Sequence, residues 1–146
     1  MADNTTITSA NSVFTIVAGT LFPAPVQLSG YASDKAFATD ALEIGEVNMG
    51  VDGRMTAGYV ANPVKQTISL QADSPSRFIF AAILQAQKTA REIFYLSGSI
   101  SLPSTGEAFT LTRGILTSGK QIPDAQKVLQ AVDYVVTWES VNASVI

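Results

Sequence analysis

From Val64 the chain alternates strictly. Val64, Gln66, Ile68 and Leu70 fall on one side and Lys65, Thr67, Ser69 and Gln71 on the other, the period of a half-buried strand with one wet face. The same period returns near the end, where an extended run from Val128 to Val145 sets Val132, Tyr134, Val136 and Trp138 against Asp133, Thr137 and Glu139. Shorter β-branched and aromatic runs at 12–19 and 26–32 read as two more strands, with Pro23 and Pro25 expected to break the chain between them. Residues 33–41 hold a charge cluster and read as a turn. Glu92–Leu102 and Ala108–Ser118 flank Pro103-Ser104-Thr105-Gly106-Glu107, whose turn chemistry predicts a hairpin. Between these β regions the pattern changes once. Asp73-Ser74-Pro75 supplies a capping side chain and then Pro at the first helical position, which predicts a helix over about 75–91. Its first half, Phe78 to Leu84, is apolar nearly all round and its second half polar, so it is expected to pack on a sheet by its N-terminal end.

Leu42 to Pro63, LEIGEVNMGVDGRMTAGYVANP, carries the clearest hairpin signal, with Asp52-Gly53 as a two-residue turn. That loop predicts Val51 opposite Arg54, Met49 opposite Thr56, Val47 opposite Gly58 and Gly45 opposite Val60. Apolar residues then lie on both faces, with Val47, Met49 and Val51 on one and Ile44, Met55 and Tyr59 on the other. Such a hairpin is either buried in its own domain or an arm that docks on another copy of the chain. The sum is about seven strands and one helix with no βαβ alternation. It predicts a mainly β fold in one domain over residues 1–146: an antiparallel β-sandwich or barrel with one flanking helix and a long extended hairpin arm.

Composition changes the picture in one respect. Of the 146 residues only 14% are charged, against about 25% in ordinary soluble domains, and Ser, Thr, Gln, Asn, Ala and Gly take their place. A monomer needs charged surface for solubility, whereas a subunit buried in an assembly does not, so low charge favours the docking arm. A net charge of −3 argues against sequence-specific nucleic-acid binding, which needs a basic patch. The start has neither a basic nor an apolar signal-peptide region, and synthesis in a cytoplasm is expected. Residues 1–11 are polar and aperiodic, expected to be mobile or ordered by a partner. The uncharged end Ser-Val-Ile suggests docking.

Candidate chemistry is sparse. With no His and no Cys, the usual general base, the common zinc ligands and the common catalytic triads are missing. Glu43 with Glu46 and Asp133 with Glu139 are the available carboxylate pairs, but nothing in the sequence builds a pocket around either. Gly114-Ile-Leu-Thr-Ser-Gly-Lys120 fits a phosphate-binding loop until its last position, where Gln121 replaces the required Ser or Thr, and Pro123-Asp124 follows where a helix should open. It reads as a strand end and turn. Asn4-Thr5-Thr6 and Asn142-Ala143-Ser144 are chance sequons in a chain without a secretion signal. Tyr134 and Trp138 read as core aromatics. Arg54 and the cluster Lys88, Arg91 and Glu92 read as polar rim. No enzyme activity, cofactor or metal is expected.

The size, the low charge, the lack of Cys and His, the hairpin EVNMGVDGRMTAGYV, the single helix SPSRFIFAAILQAQKTAR and the closing run VLQAVDYVVTWESVN together resemble a tail tube protein of contractile-tailed bacteriophages. The resemblance spans most of the chain. It implies a structural virion protein, made in the host bacterial cytoplasm, whose homo-hexameric rings stack into the inner tube of a phage tail. The tube is a conduit for DNA ejection, and its other partners are the sheath, tape measure, baseplate and tail terminator proteins. No segment spans a membrane. It further implies a ring-stacking role for Val47, Met49, Val51, Asp52, Gly53, Arg54, Met55 and Tyr59. Lys65, Thr67, Ser69 and Gln71, with Asp133, Thr137 and Glu139, are the candidate lumen face. A tube protein of a related contractile injection system and a small-ligand β-barrel carrier are the alternatives.

Overall fold

The computed structural model describes residues 12–19, 22–31, 36–103 and 105–145. The expectations for residues 1–11 and for Ile146 lie outside these. In chain order the elements are β1 Val13–Ala18, β2 Phe22–Gln27, β3 Phe37–Thr39, β4 Gly45–Met49, β5 Met55–Tyr59, β6 Val64–Leu70, α1 Pro75–Ala90, β7 Tyr95–Leu102, β8 Glu107–Gly119 and β9 Val132–Val145. Seven strands form one antiparallel sheet in the order β2-β1-β7-β8-β9-β6-β3, and β4-β5 forms a separate ribbon. The fold is mainly β with one helix, as the alternation predicts.

The inner face of the sheet is built from the predicted apolar rows. Val132, Tyr134, Val136 and Trp138 of β9 and Val64, Gln66, Ile68 and Leu70 of β6 are all buried. β1 adds Phe14, Ile16 and Ala18, and β7 and β8 add Leu96, Ile100, Leu111 and Leu116. The sheet curls until Phe14 of β1 meets Phe37 of β3 edge to face, with ring centroids 5.4 Å apart. Its ladder stays open. The segment after β2 spans part of the gap: Gln71 N–H donates to Gly30 O at 2.8 Å, and an isolated bridge joins Tyr31 to Leu70.

Helix α1 lies on the inner face. Ser74 caps it, accepting from Ser76 N–H at 3.2 Å, Pro75 opens it, and Arg91 ends it in the left-handed region at φ 56°. Ser76, Phe80, Ile83 and Gln87 are buried at helical spacing, so the helix docks along its length and not only by its N-terminal half. The polar half is anchored through Gln87, whose amide donates to Leu116 O at 3.2 Å and accepts from Phe94 N–H at 3.3 Å. Phe80 stacks on Tyr134 at 5.2 Å.

The two glycines of the phosphate-loop look-alike have a packing role. A Cβ on Gly114 would overlap the Trp138 indole, and one on Gly119 would overlap the Tyr134 ring. The two largest rings of β9 therefore lie flat across β8. Trp138 Nε1–H donates to Gln66 Oε1 at 3.0 Å, which lets both polar groups stay in the core.

Three sequence expectations change. Pro23 and Pro25 do not break the chain but sit within β2, an edge strand in which a missing N–H disrupts no ladder. Residues 36–41 are not only a turn, since Phe37–Thr39 pairs with β6 as the other edge. Val128–Ala131 belongs to the loop before β9 rather than to the strand.

Gly114→Ala is expected to lower stability by about 1–3 kcal/mol through overpacking against Trp138. Gly58→Ala, with nothing within 4 Å of the new methyl, is expected to be neutral in the same urea titration. A second prediction concerns alkali. Burial pushes the Tyr31 hydroxyl up to about 12 from 10.0, so the folded chain holds this proton more tightly than the unfolded one. The stability it contributes is complete below about pH 10 and is lost as pH rises toward 12. Tyr31→Phe should therefore flatten the alkaline unfolding curve over that window.

Candidate interaction surfaces

The arm is built from a turn that differs from the sequence expectation. Asp52-Gly53 is not a two-residue loop. Gly50 N–H donates to Arg54 O at 2.8 Å and Gly53 N–H to Gly50 O at 2.9 Å, which makes Val51, Asp52 and Gly53 a three-residue loop with Gly53 in the left-handed region at φ 82°. Asp52 Oδ1 accepts from Arg54 N–H at 3.1 Å and fixes the corner. The pairing moves by one residue: Gly45 faces Tyr59, Glu46 faces Gly58, Val47 faces Ala57, Asn48 faces Thr56 and Met49 faces Met55.

That shift re-sorts the side chains. Val47, Met49, Met55, Ala57 and Tyr59 share one face, and Glu46, Asn48, Thr56 and Gly58 the other. The arm is amphipathic, where the two-residue register had mixed the faces. Every residue of β4 and β5 is exposed, and Val47, Met49, Met55 and Tyr59 are 58–80% accessible, so no element among the described residues covers the apolar face. Asn62 Nδ2–H donates to Glu43 O at 2.8 Å and ties the base of the arm.

The two candidate lumen stripes prove to be neighbours. β6 and β9 pair with Lys65 opposite Thr137, Thr67 opposite Val135 and Ser69 opposite Asp133. Their outward side chains form one polar surface on the side away from α1. Ser69 is buried rather than wet, its hydroxyl donating to Asp133 Oδ1 at 2.5 Å. Glu139 continues the surface, pairing with Arg113 at 3.3 Å, while the Arg113 guanidinium lies 4.5 Å from the Tyr95 ring centroid. Thr117 hydrogen-bonds to Val135 O at 3.0 Å beside Thr137. Gln71 departs from the group: it lies past the end of β6, beside a groove shared with Asp73, Val128 and Leu129.

Neither carboxylate pair is arranged for catalysis. Asp133 and Glu139 are six residues apart on one strand, roughly 20 Å at strand rise, and Asp133 is held by Ser69 and Glu139 by Arg113. Glu43 and Glu46 stand exposed at the root of the arm. Among the described residues no group of three or more ligand-type side chains could hold a metal ion, and no helix is long and apolar enough to cross a membrane. The carrier alternative requires an apolar cavity. An apolar cleft lined by Phe37, Gln66, Ile100, Phe109 and Trp138 measures about 240 Å³, less than the roughly 300–1,000 Å³ of small-molecule sites.

What remains is a curled sheet with a projecting amphipathic ribbon. A family model for tail fiber protein gp32 matches residues 5–142. The chain belongs to the tail fiber protein gp32 family. No curated protein is significantly similar to this family member in sequence. Solved structures share its fold at low identity. A chain in the cap that terminates the tube of the anti-feeding prophage is 13% identical with a TM-score of 0.61, covering 100% of this chain and 95% of that one. A chain in the six-fold symmetrised anti-feeding prophage baseplate is 11% identical at 0.59, covering 99% and 97%. A chain in the sheath/tube terminator of the PVC extracellular contractile injection system is 10% identical at 0.60, covering 98% and 99%. This gp32-family chain therefore has a fold found in contractile injection assemblies.

Because no other described element of this gp32-family protein covers the apolar face of the arm, Met49→Ser with Met55→Ser is expected to leave the unfolding free energy from a urea titration within about 0.5 kcal/mol of the parent. Binding of a hydrophobic dye should fall. A cooperative loss of stability would mean that the arm packs on its own body.

Proposed function

We propose that this protein is a structural subunit of a contractile phage tail that assembles into stacked homo-hexameric rings, the inner tube through which DNA is ejected. The observation that carries the reading is the arm, an amphipathic two-stranded ribbon with its whole apolar face in water. Each such side chain contributes roughly 1.5–3 kcal/mol when fully buried, so one arm seated on a neighbour supplies a substantial share of an interface. Residues 47, 49, 55 and 59 meet the next ring, while Val51, Asp52, Gly53 and Arg54 form the tip. The open edges β2 and β3 add a second kind of contact, since an unpaired edge is satisfied when an adjacent subunit extends the sheet.

In this reading the polar surface of Lys65, Thr67, Asp133, Thr137 and Glu139 lines the channel, with the buried Ser69 holding Asp133 in place. Its charges are few and partly cancelled by Arg113, so phosphate is held weakly and DNA slides. The role needs no catalysis and no cofactor. Sheath, tape measure, baseplate and terminator proteins are the partners, in a virion assembled in the host cytoplasm. The shared fold with tube-end and baseplate chains supports this, as does the family of tail proteins. The fiber description of the family favours a second reading, in which the same arm docks on a different tail protein.

Purified protein is expected to form rings or tubes by negative-stain microscopy and to sediment with concentration-dependent mass. Met49→Asp should keep the parent circular dichroism spectrum and lose tube elongation. A monodisperse monomer at every concentration, in parent and variant alike, counts against the tube and leaves the fiber reading.

A further inference from the structure

A candidate receptor for the arm sits at the other end of the subunit. β6 begins at Val64, where the arm hands over to the sheet, and ends at Leu70. Its antiparallel partner β9 sets Trp138 beside Val64 and Val132 beside Leu70. The loop over 120–131, which feeds Val132, is therefore at the opposite end of β6 from the root of the arm, roughly 20 Å away at strand rise.

That loop is held by its own bonds and exposes three large apolar side chains among polar ones. Lys120 Nζ pairs with Asp124 at 2.5 Å, Gln130 N–H donates to Asp124 O at 2.8 Å, and a bridge joins Ala125 to Leu129. These bonds hold Ile122, Val128 and Leu129 in water at 78%, 73% and 57% accessibility. Beside them runs a shallow groove of about 450 Å³ bounded by Gln71, Ala72, Asp73 and Ala131. Lys120 and Asp124 neutralise each other and the apolar face of the arm carries no charged residue, while the exposed Lys127 beside the patch is opposite in sign to Glu46 on the arm's other face. Unbranched Met49 and Met55 adapt to an irregular aliphatic patch.

We infer that the Ile122, Val128 and Leu129 patch is the docking site for the arm's apolar face from a second copy of this chain. Resting on the stacking reading above, it names the surface that receives the arm. Complementary patches at opposite ends of one subunit make a heterologous contact, which adds copies in one direction and does not close on itself. The polar face of the ribbon is left outward, where Glu46, Asn48 and Thr56 meet water or a further partner.

The lack of any cysteine allows a direct test. Met55→Cys with Leu129→Cys, and separately Val47→Cys with Val128→Cys, are oxidised and run on non-reducing gels beside each single variant. The expected result is a ladder of dimer, trimer and higher species from at least one pair, and nothing beyond dimer from the singles. Val128→Asp with Leu129→Asp should lose tube elongation while keeping the parent circular dichroism spectrum. Rings or tubes without a ladder from either pair, or tubes of parental length from the Asp variant, overturn this docking site while the tube reading stands. Absence of any assembly from folded parent protein overturns both.

Discussion

The structure depends on how β9 is packed. It is a long central strand, bonded to β8 along one side and β6 along the other, and its buried row carries the two largest rings of the core, Tyr134 and Trp138. Those rings fit only because β8 offers Gly114 and Gly119 where side chains would stand. The same row then dictates the rest. Phe80 stacks on Tyr134 and places the helix, Gln66 accepts from Trp138 and fixes β6, and the arm and the 120–131 loop leave from the two ends of the strand pair thus fixed.

The body and the arm are consequently built differently. The body buries its apolar rows against itself and the helix. Every residue of β4 and β5 is exposed, and the amphipathicity of the arm comes from one glycine: with Gly53 in the left-handed region the loop takes three residues, and the extra residue brings every large apolar side chain of β4 and β5 to one face. A ribbon of two strands is marginal by itself in water. Its apolar face gains stability when it is covered.

The outer face shows how a surface can be polar without being sticky. Hydroxyls dominate it, and its two carboxylates are engaged locally, Asp133 by Ser69 and Glu139 by Arg113, with Lys65 the remaining charge beside them. A wall of this kind gives a polyanion little to hold. Membership of the tail fiber protein gp32 family and a fold shared with chains of contractile injection machines accord with a structural role in a tail.

The sequence by itself determined the element types, because local rules suffice for them. Alternation fixed which sides of β6 and β9 are buried, Ser74-Pro75 fixed where the helix starts, and the absence of His and Cys removed the commonest catalytic sets. It also located the arm. What only the tertiary structure decided was every property that depends on a neighbour in space. Pro23 and Pro25 are tolerated because β2 is an edge, which a chain does not announce. Lys65, Ser69, Asp133 and Thr137 form one surface because β6 pairs with β9, more than sixty residues away. Gly114 and Gly119 match a phosphate motif in sequence, whereas in space they make room for rings. The register of the arm was misread by one residue because Asp-Gly suits both a two-residue turn and the end of a three-residue loop, and only the bonds from Gly50 and Gly53 distinguish them. With strand faces alternating every residue, that single step turned a ribbon with two mixed faces into one with a single apolar face.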